Sequence, residues 1–212
     1  MDGGVVVESG KFPWANGNYP MMTEPSRGYH GVIFHETFGD FGYTMKCRME
    51  TMRTLGPVLS PFSAWILLQG LETLHVRVER HVQNAVAVAT FLRDHPRVSW
   101  VNYPGLPGSK YHALAQKYLP KGSGSIMTFG IKGGLEAGVK FIESLQFFSH
   151  LANVGDAKTL VIHPASTTHR QLSEEDQIKA GVGPDMIRLS IGIEDIDDIL
   201  WDLDQALAQS KA

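Results

Sequence analysis

From Val98 onward the chain alternates two hydrophobic periods, and this alternation most restricts its possible fold. Segments with a period near two, Val98 to Tyr103, Ser125 to Ile131 and Met186 to Ile193, read as strands. Phe147 to Val154 is strand-like. Between and after them lie helical patterns at Tyr111 to Tyr118, Leu135 to Leu145, Lys179 back to a Ser173-Glu174-Glu175 cap, and Asp195 to Ala208. Strands separated by helices of this length predict an α/β (α+β) sandwich, with helices covering one face of a small sheet.

A long helix precedes this region. Ser60 and Pro61 supply its N-cap and first-turn proline. Its apolar stripe is Leu67, Leu71, Leu74, Val78, Val82, Ala85, Ala89 and Leu92, in steps of three and four. The helix is expected to end near Asp94-His95-Pro96, because a residue before proline leaves the helical region. Upstream, residues 8 to 44 are rich in glycine, proline and asparagine, with aromatics between them (Phe12, Trp14, Tyr19, Tyr29, Phe34, Phe38, Phe41, Tyr43). That mixture predicts a packed functional loop. Residues 43 to 55 read as a helix ended by Gly56-Pro57, and Val5 to Val7 as a buried strand after a Gly-Gly turn. The expected division is residues 1–75, then 76–212.

The chain has 212 residues and a formal charge of -3, with no basic stripe interleaved with aromatics, so no nucleic-acid partner is expected. No apolar run reaches the roughly 18 residues of a membrane span; Trp65 to Leu68 stops at Gln69. The start has no cationic signal-peptide region. The lone Cys47 cannot pair within the chain, which points to a reducing, cytoplasmic setting. No His–Asp pair is placed to make it a nucleophile.

Several constellations could carry chemistry. In the strand Met186 to Ile193, alternation assigns Ile187, Leu189, Ile191 and Ile193 to a core face. Met186, Arg188, Ser190 and Gly192 take the other face, where Ser and Gly leave space above the sheet. A guanidinium there can grip a carboxylate through two parallel hydrogen bonds; it can equally be a solvated arginine paired with an acid. Asn153 to Thr159 contains Gly155 and offers an amide and backbone N–H groups to an anion, or is simply a glycine turn. Ser166, Thr167 and Thr168 either contact a ligand or satisfy their own backbone. His163 and His169, six apart with a proline between, do not match a metal-ligand spacing. Lys121-Gly-Ser-Gly-Ser125 precedes a strand and reads as a turn, not a phosphate loop. Tyr29-His30-Gly31 and His35-Glu36 either line a pocket or anchor the aromatic loop.

Taken together, Ser60 to Leu74, Tyr103-Pro-Gly-Leu106, Asn153 to His169 and Ile187 to Glu194 resemble the Cys/Met-metabolism family of pyridoxal-phosphate enzymes. Within it, the insert Lys11-Phe-Pro-Trp14 to Tyr29-His-Gly31, the Gly124-to-Gly134 region, and Asn153 where lyase relatives usually carry serine are most similar to the O-acetylhomoserine sulfhydrylase branch. The resemblance covers essentially the whole chain. It implies a fold-type-I, aminotransferase-like architecture: the tail of the large domain, the connecting helix and the small C-terminal domain. The implied reaction replaces the acetate of O-acetyl-L-homoserine with sulfide to give homocysteine, with pyridoxal 5'-phosphate as cofactor in a homo-oligomer.

By that resemblance Arg188 binds the substrate α-carboxylate and Asn153 assists it. Val154 and Thr168 complete the expected substrate-binding set. The family's Schiff-base lysine lies in a Ser/Thr-x-x-Lys stretch upstream of Gly3-Gly4. None of the ten lysines here sits in such a stretch. The implied partner is therefore the missing lysine-bearing N-terminal half, and the isolated chain is expected to be inactive. A cystathionine γ-synthase or γ-lyase relative, or a non-catalytic small-domain protein, are the other readings.

Overall fold

A computed structural model describes residues 4–210. The chain forms two compact units, Met1–Gly70 and Leu71–Ala212.

The first unit is built from short helices and packed aromatics. They are α1 (Pro20–Thr23), α2 (Phe34–Phe38), α3 (Gly42–Lys46) and α4 (Arg53–Leu55). A π-helical stretch, Cys47–Met52, joins the last two. This is the helix expected over residues 43–55, and Gly56 ends it in the left-handed region at φ 65°, its N–H donating to the Met52 carbonyl. Glu8 caps its start from far upstream, accepting from the N–H of Tyr43 and of Thr44 and from the Thr44 hydroxyl. Phe12, Trp14, Tyr19 and Tyr43 stack in one cluster, Trp14 lying nearly parallel to Tyr43 at 5.5 Å. The aromatic loop is therefore packed, as its composition predicts. Val5 to Val7 is not a buried strand: the segment is irregular and exposed, with no partner strand among the described residues to satisfy its backbone.

The expected long helix is two helices. α5 (Pro61–Glu72) is capped by the Ser60 hydroxyl, which accepts from the Ser63 N–H at 3.0 Å. Thr73 leaves the helical region at φ -104°, ψ 3°, and α6 (Leu74–Asp94) follows. α6 ends where Pro96 requires it, with His95 extended. Only the latter half of the predicted stripe is core: Ala85, Ala89 and Leu92 are fully buried, whereas Leu67, Leu71, Leu74 and Val78 are exposed.

The second unit is a five-stranded sheet covered on one face. Its order is β1 (Val98–Asn102), β2 (Ile126–Ile131), β5 (Met186–Ser190), β4 (Leu160–Ile162), β3 (Ser149–His150). The first four in that order run antiparallel to their neighbours, and β3 is parallel to β4. The helices are α6, α7 (His112–Tyr118), α8 (Gly134–Ser144), α9 (Glu174–Lys179) and α10 (Ile196–Gln209). Ala85, Val88 and Leu92 of α6, Ala137 and Phe141 of α8, and Ile199, Leu203 and Leu207 of α10 form one core with the sheet's Phe129, Ile187 and Leu189 and with Ile191 just beyond β5. This is the mixed α/β layer architecture expected from the alternation. Three strand boundaries differ. Phe147 to Val154 supplies only Ser149–His150, Leu160–Ile162 is a strand with no expected counterpart, and β5 stops at Ser190.

Candidate substrate-carboxylate site

The open face of the sheet is set by the pleat of β5. Ile187, Leu189 and Ile191 point into the core, so Arg188 and Ser190 point away from it. In register, Arg188 pairs with Thr128 on β2 and Ile162 on β4, and Thr128 pairs with Asn102 on β1. A groove of about 240 Å³ runs along this face beside Asn102, Pro104, Tyr111, Ile126 and Thr128.

Arg188 is partly buried and has no carboxylate within ion-pair distance among the described residues. Its one hydrogen bond among the described residues is long: a terminal N–H reaches the Asn153 carbonyl at 3.5 Å. The other donors of the fork face no protein acceptor among the described residues. A half-sheltered guanidinium in that state suits a ligand carboxylate, which can take two parallel hydrogen bonds.

Asn153 is exposed, and its side-chain oxygen accepts from the Val154 N–H at 2.8 Å. That local bond occupies the Val154 N–H and leaves the Asn153 amide NH₂ without a protein acceptor among the described residues. The structure thus brings Arg188, Asn153 and Val154 together. Thr168 makes no hydrogen bond to any of the three among the described residues. Thr168 is exposed in the turn after His163, and its hydroxyl shares a hydrogen bond with the His169 ring at 2.9 Å. Of the neighbouring hydroxyls, Ser166 bonds the His163 ring and Thr167 the His163 carbonyl. His163 itself is buried, between Ser166 and the Pro184 carbonyl, and packs against Gly138. Its role is to pin a turn.

The loop opposite Arg188 is held by residues that strand patterning missed. Glu194 accepts from the Thr159 N–H at 2.6 Å and the Thr159 hydroxyl at 2.8 Å. That hydroxyl also accepts from the Gly192 N–H, and the Ile193 N–H donates to the Ala157 carbonyl. From α6, the buried Asn84 donates to the carbonyls of Gly192 and Glu194, His81 bonds the Ile191 carbonyl, and Arg80 reaches the Glu194 carbonyl. The chain therefore leaves the sheet after Ser190. It becomes a strap between α6 and the 153–159 loop. The space expected above Gly192 is consequently filled: a Cβ there would lie 2.5 Å from the Ala157 carbonyl oxygen. Ser190, on the same face as Arg188, is buried as well, and the groove on this face lies along β1 and β2. The available signal was the acidic residue closing the run Ile187 to Glu194; its partner Thr159 lies 35 residues away in sequence but adjacent in the fold.

A helix-covered mixed sheet whose other face carries an arginine with no acidic partner among the described residues, beside an amide-bearing loop, defines the class: a small α/β domain. The match to a family model described as Cys/Met metabolism PLP-dependent enzyme spans residues 3–208, and the chain belongs to that family. It is 52% identical over 205 residues to O-acetyl-L-homoserine sulfhydrylase 1 of Thermus thermophilus, covering 97% of this chain and 49% of that protein. It is 54% identical over 207 residues to the homocysteine synthase of Schizosaccharomyces pombe, covering 97% and 48%. Among solved structures, a Campylobacter jejuni protein assigned as O-acetylhomoserine (thiol)-lyase, carrying N'-pyridoxyl-lysine-5'-monophosphate, matches with a TM-score of 0.82 and 43% identity over 90% of this chain and 45% of its own. The O-acetylhomoserine sulfhydrylase of Wolinella succinogenes matches with a TM-score of 0.68 and 35% identity, over 82% and 46%. The chain spans about half the length of the curated relatives it matches.

The family depends on pyridoxal phosphate. Five of the described lysines are engaged elsewhere in the fold. Lys46 is paired with Glu50, Lys132 with the Pro96 carbonyl and Lys179 with Glu175, while Lys110 and Lys117 lie over tyrosine rings. No lysine amine contacts Arg188 or Asn153 among the described residues.

Proposed function

We propose that this chain supplies the substrate-carboxylate corner of an O-acetylhomoserine sulfhydrylase, which forms homocysteine from O-acetyl-L-homoserine and sulfide. Residues 1–75 are read as the tail of the cofactor-binding domain and residues 76–212 as the small domain, acting with a lysine-bearing half in a homo-oligomer. The single cysteine favours a reducing, cytoplasmic setting. The observation that carries the reading is the unpaired Arg188 guanidinium beside Asn153. Its role is to fix the amino acid through its carboxylate, so that the bond to be broken is held in a constant place. Asn153 adds a second donor, and the Glu194 strap keeps the loop from drifting. Thr168 enters this reading only as a flanking residue.

Binding of O-acetyl-L-homoserine to the chain, followed by amide chemical shifts, tests it. Saturable shifts at Asn153, Val154 and Arg188 are expected, and Arg188→Ala should weaken binding by roughly tenfold or more, in line with about 1.5–3 kcal/mol for a charge-assisted bond. Unchanged affinity in that variant defeats the assignment. The isolated chain is expected to be inactive. Borohydride treatment with added pyridoxal phosphate should label no single lysine stoichiometrically, and stoichiometric labelling of one lysine together with sulfide-dependent turnover would overturn that expectation.

A further inference from the structure

The first unit contains a cleft that the carboxylate corner does not use. It has a volume of about 620 Å³ and lies between the loop Ser26 to Val32 and the helical stretch ending at Leu55. We propose that it binds a small oxyanion, phosphate or sulfate, free or as a monoester, through Arg53 and His30.

Four observations carry this. The first is an unspent cation. Arg53 is exposed, with no carboxylate within ion-pair distance among the described residues, and its guanidinium lies over the Tyr29 ring at 5.9 Å. A guanidinium parked on a ring keeps its N–H fork open to a ligand. The second is the charge of the walls. The one acid lining the cleft, Glu50, is neutralised by the Lys46 ammonium and the Ser26 hydroxyl. Arg53 therefore sets the sign of the field.

The third is backbone conformation. His30 sits at φ 53°, ψ 31° and is the only non-glycine residue with positive φ among the described residues. Histidine tolerates that region better than most residues, but the conformation is rare. Such residues persist where the surroundings fix them, and they concentrate at ligand clamps. Here the loop is closed by paired bonds, Ser26 N–H to the Val32 carbonyl and Gly31 N–H to the Ser26 carbonyl, both 2.9 Å. The fourth is space. Gly28 has nothing within 4 Å of where a side chain would start, and Thr54 adds a hydroxyl at the rim. The cleft exceeds the size of a bare ion, which leaves room for the organic part of a monoester.

The test titrates the ¹⁵N-labelled full chain with sodium phosphate, sodium sulfate and methyl phosphate, with ionic strength held constant by sodium chloride. Saturable shifts confined to Tyr29, His30 and Thr54 are expected. Arg53→Gln should raise the Kd at least tenfold and His30→Gly a few-fold, with Arg188→Ala unchanged. Tighter methyl phosphate binding marks a monoester as the ligand; equal affinity marks the free ion. Non-saturable shifts, shifts reproduced by chloride alone, or full affinity in Arg53→Gln overturn the proposal. If Arg53→Gln loses its native spectrum, Arg53→Lys decides. Lysine keeps the charge but not the fork, so undiminished binding there refutes two-pronged recognition and supports nothing in its place.

Discussion

Two acidic side chains in the second unit act on backbone, not on ligands. Asp202 is completely buried, and its carboxylate accepts from the N–H groups of Gln146, Phe147 and Phe148 and from Gln205. Asp202→Ala would strand three donors and should cost about 3 kcal/mol or more in urea unfolding. Glu194→Ala should cost about 1–3 kcal/mol and raise amide exchange at Thr159, because its two bonds hold the loop opposite Arg188. Two titrations have opposite signs. The Lys46 ammonium, then the Ser26 hydroxyl, hold the Glu50 carboxyl below its ordinary range despite its burial. A folded-state value lowered this way stabilises above the unfolded value of about 4.3, and the contribution is lost as pH falls through the folded one. Burial pushes the Tyr103 phenol up to about 12, and its hydroxyl donates to the Gly124 carbonyl. That contribution is complete below pH about 10 and is lost toward 12. Alkaline unfolding of wild type should therefore be steeper than that of Tyr103→Phe. Arg188 was legible because strand alternation needs only its neighbours; Glu194 was not, because its partner Thr159 lies 35 residues away.

Helix ends proved more legible than strand ends. Ser60, Ser173 and Asp195 all cap as their residue types dictate, since a cap is a contact over two or three residues. Asp195→Ala should remove about 1 kcal/mol, read as a lower urea midpoint with unchanged slope. Strands depend on what lies beside them. Leu160–Ile162 is too short for alternation and is buried throughout, so it gives no period to read. β5 ends early because Ile193 spends its N–H on the Ala157 carbonyl, outside the ladder. The break at Thr73 also escaped the stripe, because threonine is not a strong enough breaker to announce it.

For the molecule as a whole, the two units are unequal in what they conceal. The second has a continuous core drawn from α6, α8, α10 and the sheet. By contrast Phe62, Trp65 and Leu68 of α5, in the first unit, are more than half exposed. Apolar surface so concentrated favours self-association. Sedimentation velocity should show a concentration-dependent increase in mass, and a strictly monomeric chain that binds no hydrophobic dye would contradict this. The architecture followed from the order of periods, whereas the extent of this surface did not, since a stripe says which residues share a face and not whether anything covers it. In the second unit, Arg97 at the mouth of β1 donates to the carbonyls of Lys132 and of Ser210. The buckle of the domain thus joins residues synthesised far apart. On the ribosome β1 must wait, unfastened, until residue 210 has emerged, so this unit closes late and as a whole, not strand by strand.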